Sequence, residues 1–346
     1  MGKKTKHIAV IRLSALGDVA MIVPVILAMM KQHPEVKITV VSRSFFKPIF
    51  ESIPGINFLS VHTHHRHKGL VGLYRLYQDL KVLKIDKIAD LHNVIRSKVI
   101  RNLFALSGKK VAFTDKGRLE KKELTRFKDK KFTPLKSMFE RHAETFKQLG
   151  YAIDLSKPMF LNKMFIPLMD QEIFGDKKQN WIGIAPFAQY ESKVYPEDLM
   201  KKVIAELASK ANNKVFLFGG GKKEIAKLKN YASINENIVV IAGKISFEHE
   251  LILISNLDLM LSMDSGNAHL SAMFGVKTIT LWGATHPFAG FAPYKQPTEN
   301  CLVSDREKYP LLPISIYGNK NVAGYENVMR TIEPETVIYK IQKELN

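Results

Sequence analysis

The chain has 346 residues, 46% hydrophobic and 25% charged, more than one hydrophobic core usually serves, so two domains are expected. Its single cysteine, Cys301, excludes an internal disulfide and a cysteine-built metal cage and points to a cytosolic redox setting. A formal charge of +19 calls for an anionic partner without choosing among nucleic acid, acidic lipid headgroups, an acidic sugar and a merely solvated lysine-rich surface.

Lys3, Lys4 and Lys6 precede an apolar stretch, but Arg12 and Asp18 interrupt it and no cleavage-type segment follows, which argues against a secretory signal. Strands are predicted at Ile8 to Ile11, Lys37 to Val41, Phe58 to Val61, Lys87 to Leu91 and Lys110 to Phe113, separated by helical patterns. A helix from Ser137 to Leu149 closes this half. The positive charge is densest between Lys98 and Lys147, through Lys109, Lys110, Lys116, Arg118, Lys121, Lys122, Arg126, Lys128, Lys130 and Lys131. No nucleic-acid motif or stacked-aromatic pattern accompanies it, so nucleic acid is not expected as a partner. His62, His64, His65 and His67 follow a strand with spacing that fits no catalytic zinc site, and an exposed loop is the expectation.

Residues 161–180 read as a connector. The strand rhythm then restarts at Trp181 to Ala185, Lys214 to Phe218, Ile238 to Ile241, Leu259 to Ser262 and Thr278 to Leu281, with helices starting near Glu197, Lys222, Phe247 and Asn267. The domains are accordingly 1–160 and 181–332, with a C-terminal helix in 333–346 that could pack on either domain, the N-terminal one being the expectation. Strands alternating with helices give an α/β chain of two doubly wound parallel units. No run reaches the roughly 20 apolar residues of a bilayer span, so any membrane contact is peripheral.

Ligands of such folds sit where strands give way to helices. Asp18 stands at the mouth of a helix expected to start near Val19. It is either a dipole-favoured cap, worth about 0.5 to 2 kcal/mol, or a general base exposed by a tight turn at Gly17. Asp264, Ser265 and Gly266 open another helix: they either cap it or hold a phosphate and sugar hydroxyls on its free N–H groups. His269, one turn further in, either faces that site or packs. Lys193, in the loop after Trp181 to Ala185, is placed to neutralise a departing diphosphate without a metal, surface lysine being the alternative. No Asp-x-Asp pair offers a magnesium clamp. Gly219 and Gly220 permit close approach of a ribose or base, or simply a turn. His92, Arg96, Lys98 and Arg101 follow Asp90 on a helix and either bind acidic groups of an acceptor or cover the surface.

The text Leu13 to Asp18 followed by Pro24, Asp90-Leu91-His92 to Arg96-Ser97, Lys193-x-Tyr195-Pro196, Gly219 to Glu224, and Asp264-Ser265-Gly266 with His269, Gly275 and Gly283 resembles the heptosyltransferases of glycosyltransferase family 9 over nearly the whole chain. The resemblance implies the GT-B architecture, two Rossmann-like domains facing a central cleft. It further implies inverting, metal-independent transfer with Asp18 as base, Lys193 at the donor phosphates, Asp264, Ser265 and Gly266 at sugar and diphosphate, Glu224 at the ribose and Ile245 beside adenine. The implied donor is ADP-L-glycero-β-D-manno-heptose. The implied acceptor is Kdo-lipid A, or a heptose already on it, met at the cytoplasmic face of the inner membrane. No cofactor beyond the donor is expected, and the chain is expected to act as a monomer. A GT-B transferase of another nucleotide sugar, a sugar-nucleotide epimerase and a nucleic-acid-binding protein using the basic region are the rival readings.

Overall fold

The computed structural model describes residues 6–346; Lys3 and Lys4 lie outside them. In chain order the elements are β1 (Lys6–Ile11), α1 (Leu16–Gln32), β2 (Val36–Arg43), α2 (Lys47–Glu51), β3 (Ile56–Val61), α3 (Gly69–Val82), β4 (Lys87–Asp90), α4 (Ile95–Leu106), β5 (Lys110–Phe113), α5 (Arg118–Leu124) and α6 (Met138–Gln148). After these come α7 (Leu168–Phe174), β6 (Asn180–Ala185), α8 (Glu197–Ser209), β7 (Asn213–Leu217), α9 (Gly221–Ala232), β8 (Ile238–Val240), α10 (Phe247–Asn256), β9 (Leu259–Met263), α11 (Gly266–Met273), β10 (Lys277–Trp282), β11 (Cys301–Val303) and α12 (Pro334–Leu345).

Two compact units result. The first comprises residues up to Gly117 with Lys136–Leu161, and the second Arg118–Leu135 with Asn162–Asn346. The first unit's sheet runs β3-β2-β1-β4-β5 and the second's β11-β10-β9-β6-β7-β8, every pairing parallel. The central strands β1 and β9 are buried on both faces, which is why they read as near-continuous apolar runs rather than alternating ones. The strand order reverses between β1 and β4 in one sheet and between β6 and β9 in the other, so each unit has one topological switch point at its strands' carboxyl ends. α6 begins with a capping box: Glu140 N–H donates to Ser137 Oγ at 3.2 Å and Ser137 N–H to Glu140 Oε2 at 2.8 Å.

Four expectations are corrected. Residues 161–180 are not a bare connector, because α7 forms there and packs on the second unit: Asp170, buried, meets His249 Nδ1 at 2.6 Å, and Phe174 lies edge-on to Trp181. The C-terminal helix docks on α8 and β9 of its own unit rather than on the N-terminal one, burying Val337 and Ile341 in that core. Residues 118–135, placed with the first domain by sequence order, belong to the second: Lys130 Nζ donates to the carbonyls of Leu311 at 2.6 Å and Pro313 at 2.8 Å, and the Arg306 guanidinium stacks 3.4 Å from the Phe132 ring centroid. The basic tract is therefore divided between the two units. Fourth, α1 starts at Leu16 and not near Val19, so Gly17 lies inside its first turn rather than in a tight turn before it.

Candidate active site

In the first unit, register brings the loop after β1 against the loop after β4. Ile11 pairs with Val41 on one side and Asp90 on the other, which sets Arg12 and Leu13 beside Leu91 and His92. Arg12 is buried; its guanidinium donates to the Leu91 carbonyl at 2.7 Å and forms an ion pair with Asp18 Oδ2. Asp18 is the third residue of α1 and also accepts the Ala15 N–H at 3.3 Å. The cap and the charged site are thus the same side chain, 31% exposed. Leu13 N–H donates to His92 Nδ1 at 3.4 Å, which leaves the ring proton on Nε2, 3.5 Å from Ser14 Oγ. Burial, then the charges of Arg12 and Lys116, push His92 down to about 3, so it is a neutral imidazole at physiological pH.

Asp90, fully buried, organises the turn beneath. Its Oδ1 accepts the N–H groups of His92 at 3.1 Å and Asn93 at 2.8 Å, and its Oδ2 accepts from Arg101 at 3.1 Å. Arg101 also lies 3.9 Å from the Phe113 ring centroid. Its charge is directed inward onto Asp90 and Asn93, so Arg101 is neither the acceptor-binding group expected nor a surface cation; Arg96 is exposed and Lys98 half-buried on the same helix. In the His62 to His67 loop, His64 and His65 are exposed, but His67 is buried against Asp79 at 3.1 Å, so the loop is not exposed throughout. Among the described residues, no group of three or more His, Cys, Asp or Glu side chains could hold a metal ion.

In the second unit, Ala185 of β6 is in register with Ser262 of β9, so the loops carrying Lys193 and Asp264 meet at the second switch point. Lys193 Nζ lies 2.9 Å from Asp264 Oδ2, with the side chains 13% and 10% exposed, and Thr285 Oγ1 donates to the same oxygen at 2.8 Å. Ser265 is the N-cap residue of α11, yet its hydroxyl contacts Ser262 Oγ at 3.0 Å and makes no capping bond. The first N–H groups of α11 are therefore not spent on the side chain that usually takes them. His269 is buried within α11. Gly220 N–H donates to Glu224 Oε2 at 2.8 Å, closing the turn at Gly219 and Gly220 into α9, and Ile245 is half-buried in the turn before α10. Tyr195 and Pro196 are scaffold: the tyrosine is buried with its hydroxyl on the Ile332 carbonyl at 2.5 Å, and the proline is the N-cap residue of α8.

Sequence reasoning missed the groups that hold Lys193. Ser192 Oγ donates to the Gly318 carbonyl at 2.7 Å and Ala284 N–H donates to the Ser192 carbonyl at 3.0 Å. Gly318 has φ +85°, and a Cβ there would stand 2.4 Å from Lys193 Cδ; a Cβ on Gly283 would stand 2.5 Å from the Ser192 carbonyl oxygen. The segment around Gly318 and the Thr285 hydroxyl carry no recognisable motif. Arg12 had one available signal, a cation ending an otherwise apolar strand.

A family model for glycosyltransferase family 9 (heptosyltransferase) matches residues 73–315. The chain belongs to glycosyltransferase family 9. This family 9 enzyme is 24% identical to lipopolysaccharide heptosyltransferase 1 of Campylobacter coli, with 98% of each chain covered, and 24% identical to lipopolysaccharide core heptosyltransferase OpsX of Haemophilus influenzae, with 84% of this chain and 82% of that one covered. Among solved structures it resembles a family 9 glycosyltransferase from Veillonella parvula, with TM-score 0.77, 19% identity, and 100% of this chain and 98% of that one covered. It also resembles the E. coli ADP-heptose lipopolysaccharide heptosyltransferase II, with TM-score 0.68, 20% identity and 98% of each chain covered. The fold of the family 9 enzyme is therefore GT-B, its two Rossmann-like units being the sheets described above, and the protein is a glycosyltransferase. No helix among the described residues is long and apolar enough to cross a membrane.

Proposed function

We propose that this enzyme transfers a heptose, with inversion at the anomeric carbon and without a divalent metal, from ADP-heptose to an acidic inner-core acceptor of lipopolysaccharide, Kdo-lipid A or a heptose already on it, at the cytoplasmic face of the inner membrane. The observations that carry this reading are an arginine-held carboxylate at the switch point of the first unit and, taken separately, a carboxylate-held lysine at the switch point of the second. Kinship with lipopolysaccharide heptosyltransferases over nearly the whole chain supports the choice of sugar and acceptor.

In the reaction the acceptor hydroxyl gives its proton to the Asp18 carboxylate as its oxygen bonds to the anomeric carbon. The bond from that carbon to the diphosphate oxygen breaks with its electron pair, and ADP departs. Arg12 holds the carboxylate aimed, its guanidinium paired with Asp18 Oδ2. Neutral His92 offers Nε2–H to the acceptor rather than exchanging protons with it, alongside Gly17 and the cations Arg96 and Lys98. Lys193 exchanges Asp264 for the donor diphosphate, joined by the N–H groups of α11 from Gly266 onward, and stabilises the leaving charge that a metal would otherwise take. Asp264, relieved of the lysine, receives sugar hydroxyls beside Ser265 and His269; Gly219, Gly220, Glu224 and Ile245 take the nucleoside.

Replacing Asp18 by Asn tests the assignment. Turnover should fall by about 10² to 10⁴ while donor affinity, measured by titration, stays the same; near-normal turnover removes Asp18 from the chemistry.

A further inference from the structure

We infer that the outward face of α3, with the histidine loop before it, is a docking surface for an anionic bilayer. The helix turns Leu73, Leu76, Tyr77 and Leu80 into the first unit's core. On its other side Leu70, Val71 and Tyr74 stand 77%, 66% and 54% exposed within the first turn and a half. Single exposed apolar residues need no explanation, but three large ones side by side do.

Their neighbours decide what covers them. Lys68 and Arg75 are exposed beside them. Between His62 and Lys109 the sequence holds ten lysines and arginines against three aspartates. Each aspartate is engaged within the unit: Asp79 with Arg66 and His67, Asp86 with the His7 N–H, and Asp90 with Arg101. Apolar side chains flanked by the exposed cations Lys68 and Arg75, in a segment of net positive charge, match the interface of an anionic bilayer, where the chains enter the acyl boundary and the cations meet headgroups. A second protein with an apolar face would leave those cations buried without partners.

The face is preformed. A Cβ at Gly72 would stand 2.3 Å from the His67 carbonyl carbon, so the loop rests directly on the helix. His67 Nδ1 accepts the His62 N–H at 3.0 Å, and Arg66 and His67 grip Asp79 at 2.6 and 3.1 Å. Binding therefore costs little ordering. Since α3 follows β3, its first turn lies at the carboxyl end of the sheet, the end that carries Asp18 and His92. A lipid-linked acceptor is thereby delivered to the end where it reacts. That benefit rests on the function proposed above; the surface itself does not.

Flotation of the full chain on vesicles, with neither donor nor acceptor present, separates the two. The wild type should float with phosphatidylethanolamine–phosphatidylglycerol vesicles, less so as salt rises, and not with phosphatidylcholine alone. The triple variant Leu70→Ser, Val71→Ser, Tyr74→Ser and the double variant Lys68→Glu, Arg75→Glu should each bind about tenfold more weakly or worse, with unchanged thermal melting and unchanged activity on a deacylated, water-soluble acceptor. Wild type that stays unbound, or a triple variant that floats like wild type, overturns the inference. So does a wild-type dimer in sedimentation velocity that the triple variant disperses, because the face would then belong to a second copy of the chain.

Discussion

The ion pair between Lys193 and Asp264 makes a sharp energetic prediction. Both side chains are almost wholly buried, and Asp264 Oδ2 has two donors, Lys193 Nζ at 2.9 Å and Thr285 Oγ1 at 2.8 Å. Lys193→Met deletes the cation and leaves the carboxylate buried with only the threonine. Breaking one side of a buried pair costs about 3–5 kcal/mol, and the surviving hydroxyl puts this case at about 3. In a unit of roughly 200 residues, where each kcal/mol moves the melting midpoint by about 2–4 °C, the drop should be about 6–12 °C. Asp264→Asn should lose a comparable amount by orphaning the lysine. The double variant should lose clearly less than the sum, because no lone charge remains. Calorimetry on the four proteins reads the coupling, and strictly additive losses would mean that the pair does not form in solution. The same series run with ADP probes the partner exchange. Loss of one charge-assisted hydrogen bond, about 1.5–3 kcal/mol, should weaken ADP binding by about 10- to 150-fold in Lys193→Met; unchanged ADP affinity would refute the phosphate role.

Gly318→Ala should cost about 1–2 kcal/mol from the left-handed backbone alone, and its Cβ should displace Lys193, raising the donor KM more than it lowers kcat; unchanged donor affinity would show that the 318 segment does not position the lysine. Burial holds His92 at about 3 and His286 at about 4, against 6.5 for a free imidazole. The unfolded chain therefore binds more protons than the fold below about pH 6.5, and stability must fall as pH drops from there towards 4, by about 1.4 kcal/mol per pH unit for each histidine. Melting curves between pH 7 and pH 5 measure that slope, and His286→Asn, which keeps an oxygen for the Phe288 N–H, should flatten the second unit's share. Treatment with a chelator should leave transferase activity largely intact, and complete loss restored by a divalent ion would transfer the leaving-group role from Lys193 to a metal.

By itself the sequence determined the two parallel sheets: central strands such as β1 and β9, buried on both faces, must be near-continuous apolar runs, and ten of the eleven strands, the half-exposed edges β3 and β5 included, are legible as short runs between helical patterns, only the three-residue β11 escaping. It also offered Asp18, Lys193 and Asp264 as candidates, since charged residues in the loops that follow the strands lie at the end of the sheet where such folds hold ligands. Tertiary structure decided what these charges pair with. The hydrogen bond of Arg12 to Leu91 and the clasp of Asp264 on Lys193 join residues made neighbours by sheet order and register, the pairs Arg12–Asp18 and Arg101–Asp90 each form within one strand-to-helix turn, and residues 118–135 pass to the second unit through contacts such as Lys130 on the Leu311 carbonyl. Pairing across a sheet depends on which strands become neighbours. Local pattern fixes each strand's identity but not its neighbour.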